Sequence, residues 1–122
     1  MKIRINGNSV RIRLSKSEVD TFGKEGYLEE ETSFGNGAFK YALKSKNEGN
    51  SLSAAFEGNT MTMFVPEKTK QEWTSTEKVG YEANMPVSDG KSLFLLLEKD
   101  FKCLDNAIEN QDDNYENPNK TC

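Results

Sequence analysis

Histidine is absent from the chain. That removes the commonest general base and the commonest zinc ligand. It also excludes any Ser-His or Cys-His nucleophile pair. Cysteine is nearly absent: Cys103 and Cys122 are the two in 122 residues, too few for a disulfide framework. No stretch approaches the roughly 18 apolar residues of a membrane span, so no membrane partner is expected. The opening Met1-Lys2-Ile3-Arg4-Ile5-Asn6-Gly7 lacks the apolar core of a secretion signal, which points to the cytoplasm. Gly7 and Gly58 read as turn glycines. Neither belongs to a phosphate-loop pattern or opens a helix, and no cofactor is expected.

Charge is plentiful, at 30% of residues, and the formal net charge is −4. That balance favours solubility and argues weakly against a general nucleic-acid binder. The charge is unevenly spread. Residues 1–16 contain Lys2, Arg4, Arg11, Arg13 and Lys16 and no acid. Residues 102–122 hold Lys102 and Lys120 against Asp105, Glu109, Asp112, Asp113 and Glu116. A basic start and an acidic end are masked by the modest total.

The length suits one domain, and its pattern runs twice. Lys2-Ile3-Arg4-Ile5 alternates polar and apolar, Gly7-Asn8 turns the chain, and Ser9 to Leu14 alternates again. Ser15-Lys16-Ser17-Glu18 is a capping box, with Leu14 and Val19 at the staple positions. A short helix is predicted from about Lys16 to Phe22, ended by Gly23 or Gly26. Tyr27 to Phe34 and Ala38 to Lys46 then read as a hairpin turned at Asn36-Gly37. At an offset of 51, Ile5 to Ser15 lies over Phe56 to Pro66, with Gly-Asn, a hydroxyl residue and the alternation repeated. Trp73 falls where Phe22 fell, Gly80-Tyr81 where Gly26-Tyr27 fell, and Asp89-Gly90 stands for the second turn.

The expected fold is therefore α+β and mostly antiparallel. About eight strands would form a closed barrel with two short helices, built by internal ββαββ duplication. One domain covers 1–101, with copy one at 2–46 and copy two at 54–100. Residues 102–122 form an acidic polar tail, disordered or wrapped on the barrel. The predicted core is Ile5, Val10, Ile12, Leu14, Phe22, Phe56, Met61, Met63, Val65, Trp73, Leu95 and Leu97.

The run Gly7-Asn8-Ser9-Val10-Arg11-Ile12-Arg13-Leu14-Ser15-Lys16, the helix after it and Gly23-Lys24-Glu25-Gly26 resemble the AbrB/MazE-type swapped-hairpin domain. The resemblance covers about residues 2–45 and, more faintly, 54–101. It implies two interleaved units forming one barrel that binds DNA through basic residues. Thr62 and Phe64 stand where the second copy would need arginines, and Ser15 stands at the family's proline. A second likeness, in architecture, is to triphosphate-tunnel (CYTH-like) enzymes, whose duplicated unit closes an eight-stranded barrel. It implies a channel lined by Arg4, Arg11, Arg13, Lys40, Lys44 and carboxylates among Glu29, Glu30 and Glu31. The opening Glu-x-Glu-x-Lys of that family is absent here.

Three functions follow. A non-enzymatic binding module would use Lys2, Arg4, Arg11, Arg13 and Lys16 to hold a polyanion, either nucleic acid or a phosphorylated small molecule, because guanidinium forks grip phosphate bidentately. The bland alternative is a solvated strand face whose arginines pair with Glu29 to Glu31. A metal-dependent triphosphate hydrolase would use Lys40, Lys44, Glu29 and Glu31 as tunnel residues. An interaction module would act through the acidic tail on a basic protein partner. Cys103, Asp105 and Cys122 are chemically fit to hold a metal, but their spacing matches no zinc pattern. The absence of histidine, a nucleophile–base pair and a metal motif favours binding over catalysis.

Overall fold

The computed structural model describes residues 1–101. Strands β1 (Lys2–Ile5) and β2 (Ser9–Leu14) lead into helix α1 (Lys16–Glu25), and β3 (Tyr27–Ser33) and β4 (Ala38–Lys46) follow. The same order then runs again: β5 (Ser53–Glu57), β6 (Thr60–Pro66), α2 (Glu67–Ser75), β7 (Gly80–Ser88) and β8 (Lys91–Lys99). The Ser15–Glu18 capping box opens α1 as the sequence predicts, and Gly26 closes it at φ 70. A left-handed residue there lets the Gly26 amide return to the Phe22 carbonyl at 2.8 Å. Pro66 ends β6 and sits one position before α2, with no side-chain cap.

The strands form two sheets, in the orders β1-β2-β8-β7 and β3-β4-β6-β5. Each sheet takes one hairpin from each half of the chain. The hairpins are antiparallel, but β2 joins β8 and β4 joins β6 in parallel. The fold is α+β with two mixed sheets in which four of the six strand pairings are antiparallel, and it is not the closed barrel expected from the sequence. No sheet closes on itself because the four outer strands are poor templates for further pairing. β1 is four residues long and carries Lys2 and Arg4. β3 carries Glu29, Glu30 and Glu31. β5 has five residues, and β7 loses its register between Pro86 and Ser88. Where the sheets meet at their margins, side chains bridge them. The Ala54 amide reaches the Met85 sulfur at 3.4 Å, and the Met1 ammonium lies 2.6 Å from Glu30.

The core lies between the sheets and is capped at one end by the helices. Ile12, Leu14, Phe22, Leu43, Met63, Val65, Trp73, Leu95 and Leu97 are fully buried. Phe22 and Trp73 meet edge to face at 6.5 Å and tie α1 to α2. Two residues depart from the expected core. Ile5 is 58% exposed and Phe56 65% exposed. Each points to the inner face, opposite Val10 and Met61 respectively. Both sit at the turn end, remote from the helices, where no third layer covers the sheets. Alternation sets the face a side chain takes, while burial also needs something above that face.

Candidate anion-binding face

β1 and β2 place their cations by register. Lys2 stands opposite Arg13 and Arg4 opposite Arg11, while Ile3 and Ile12 take the other face. The period of two therefore gathers all four cations on the outer side of their sheet. They surround a shallow concavity of about 300 Å³ lined by Lys2, Ile3, Arg4, Arg11 and Arg13. Like charges directly across an antiparallel pair repel, so this arrangement needs counter-charge.

β8 supplies some of it. Glu98, opposite Arg13 in the parallel seam, accepts from Arg13 Nε at 2.6 Å and lies 3.5 Å from an Arg11 guanidinium nitrogen. Asp100 accepts from Lys2 Nζ at 2.7 Å. That contact holds the Asp100 carboxyl below its usual range, against a smaller upward pull from burial. Arg4 has no carboxylate partner among the described residues. Glu98 and Asp100 were not singled out from the sequence. Only the parallel pairing of β8 with β2, invisible to local pattern, brings Glu98 to the arginines.

The remaining sequence candidates lie elsewhere. Lys16 belongs to the first turn of α1 and lines a different groove. Glu29 to Glu31 do not pair with the arginines, because β3 belongs to the other sheet. Glu29 pairs with Lys40 at 3.3 Å and accepts from the Tyr27 hydroxyl at 2.5 Å. The Tyr27 hydrogen bond, then Lys40, keeps its carboxyl below the usual range. Glu31 stands opposite Lys40, and Lys44 opposite Tyr27. The expected tunnel set is thus divided. Arg11 and Arg13 face out from one sheet, Lys40 and Lys44 face out from the other, and the buried layer of Ile12, Leu43, Met63 and Leu95 separates them.

Among the described residues, no three acidic or thiol side chains come together to hold a metal. Cys103, Asp105 and Cys122 lie outside the described residues. No described helix is long and apolar enough to cross a membrane. No curated protein and no solved structure matches the chain. A protein-family model does match it over residues 1–119, and the chain belongs to that family, described as a family of unknown function (DUF7009).

Proposed function

We propose that the chain is a non-enzymatic binding module whose outer β1–β2–β8 face holds a phosphorylated small molecule. The observation that carries this is Arg4. It faces Arg11 across the hairpin, over the concavity, with no carboxylate of its own among the described residues. A phosphate would relieve the repulsion between the two guanidiniums and give both forks a bidentate partner. Scale favours a compact ligand. Alternate residues on a strand lie roughly 7 Å apart and neighbouring strands about 5 Å apart, so four side chains span one or two phosphate groups rather than a length of duplex. Binding is favoured over turnover because Glu98, the carboxylate nearest the arginines, is already engaged by Arg13. Nucleic acid is the competing ligand at this same hairpin.

Calorimetric titration with tripolyphosphate, ATP and a short DNA duplex at low salt tests the proposal. Tripolyphosphate and ATP should bind, and Arg4→Ala should weaken each by about ten-fold or more, the worth of one charge-assisted hydrogen bond or bidentate pair. Unchanged affinity in Arg4→Ala, or no binding at low ionic strength, overturns it. Tighter binding of the duplex, falling with salt by about −0.9 per phosphate contact, would make nucleic acid the ligand. Phosphate release with magnesium, abolished by Arg11→Ala, would make the protein a hydrolase.

A further inference from the structure

On the outer face of the β1-β2-β8-β7 sheet, register sets the side chains in rows across the strands. Lys2, Arg13 and Glu98 share the row nearest the helices. Arg4, Arg11, Leu96 and Glu82 share the next, and Ser9, Phe94 and Asn84 the one after. Toward the turn end the cations thus give way to a half-buried leucine and phenylalanine with polar neighbours. The other sheet supplies a comparison. At the equivalent places of its parallel seam, Lys40, Ala42 and Lys44 stand beside Thr60, Thr62 and Phe64. Phe64 there is covered, with the Lys46 ammonium 6.0 Å from its ring centre. Among the described residues, no cation and no second ring stacks on Phe94. One sheet alone therefore sets an uncovered ring beside a cluster of arginines.

We propose that this face takes a nucleotide, with its phosphate on Arg4 and Arg11 and its base on the Phe94 ring. The inference rests on the anion-binding reading and names the class of ligand. Charge fits one phosphate. Glu98 and Asp100 offset two of the four charges on Lys2, Arg4, Arg11 and Arg13, and a phosphate monoester carries roughly −1.5 to −2. Spacing leaves room for a sugar. Phe94 lies one strand over and two residues along from Arg11, a Cα separation of roughly 8 Å. Leu96 adjoins both and would floor the sugar. Glu82, exposed beside Leu96 and roughly 10 Å from Arg11, would accept from the sugar hydroxyls. An aromatic ring stacks on any base, because every base has a π-face. Ser9 and Asn84 flank Phe94 and offer a hydroxyl and an amide to the base edge.

Calorimetric titration of the full chain at low salt with adenosine monophosphate, ribose 5-phosphate and tripolyphosphate tests this. The nucleotide should bind at least about ten-fold more tightly than the sugar phosphate, within what stacking one base is worth. Phe94→Leu keeps apolar bulk and loses the flat ring. It should bring the nucleotide down to the affinity of ribose 5-phosphate and leave tripolyphosphate binding unchanged, which also reports an intact fold. Phe94→Tyr keeps the ring and should keep the preference. Arg4→Ala should weaken all three ligands. Equal affinity for the nucleotide and the sugar phosphate overturns the inference and leaves the anion-binding reading standing. A preference that survives Phe94→Leu, or one lost in Phe94→Tyr, does the same. Failure of all three ligands to bind removes both.

Discussion

Trp73 ties three parts of the molecule together. It is fully buried, meets the Phe22 ring edge to face, and donates its indole N–H to the Val79 carbonyl at 3.0 Å. It thus bonds α2 to α1 and to the segment entering β7. Replacing Trp73 by alanine removes packing, an aromatic contact and a partly buried hydrogen bond at once. The expected loss is about 3–5 kcal/mol, read from urea unfolding. A loss under about 1 kcal/mol would mean the ring is not the keystone its contacts describe. Gly80, just beyond, is fixed for another reason. A Cβ there would lie 2.2 Å from the Leu97 carbonyl oxygen, so β7 approaches β8 too closely for any side chain. The aromatic pair was legible in the sequence because Phe22 and Trp73 occupy matching places in the two runs of the pattern. The close approach at Gly80 was not, since it depends on how two strands meet.

At the scale of elements, α1 and α2 are held by different means. α1 begins with a capping box whose Glu18 also pairs with the Met1 ammonium. Burial pushes the Glu18 carboxyl up, but the ammonium and the Ser15 amide and hydroxyl together bring it below its usual value. The Met1 ammonium is pulled down by burial, yet Glu18 and Glu30 raise it above the ordinary value of an α-amino group. The signs give two limits. The depressed carboxyl lends stability that is lost as pH falls through its folded pKa, and the raised amine lends stability that is lost as pH climbs through its own. Glu18→Gln keeps the box geometry and removes the charge, so its stability should vary less with pH on both limbs. Denaturant midpoints from pH 3 to 10 would show this, and a variant curve parallel to the parent's would refute it. Local signals made this helix readable: the Ser15-x-x-Glu18 spacing marks its start and Gly26 its end. The basic hairpin was readable for the same reason, since alternation alone puts Lys2, Arg4, Arg11 and Arg13 on one face. Their true counter-charges, Glu98 and Asp100, were hidden because strand partners distant in sequence leave no local mark.

On the scale of the whole molecule, strand number and helix placement follow from short-range patterns, while sheet closure depends on the outer strands. Those strands carry lysine, arginine, glutamate, a proline and a lost register, and two open sheets result. The exposure of Ile5 and Phe56 has a different origin: both lie at the turn end, where nothing covers the inner faces of the sheets. The seams between β2 and β8, and between β4 and β6, have a further consequence. They bring together residues such as Arg13 and Glu98, 85 positions apart, and each half of the chain supplies one hairpin to each sheet. Neither half can finish a sheet by itself. Folding must wait for the second half to be made, and such long-range pairing is slow. A chain cut in the connection between β4 and β5 should yield pieces 1–49 and 50–122 that lack stable structure apart and regain it when mixed, as circular dichroism would record. Strong native-like signal from either piece alone would count against this. The molecule is in effect a heterodimer whose two subunits happen to share one peptide chain, and the few residues between β4 and β5 act as a leash that keeps each beside its complement.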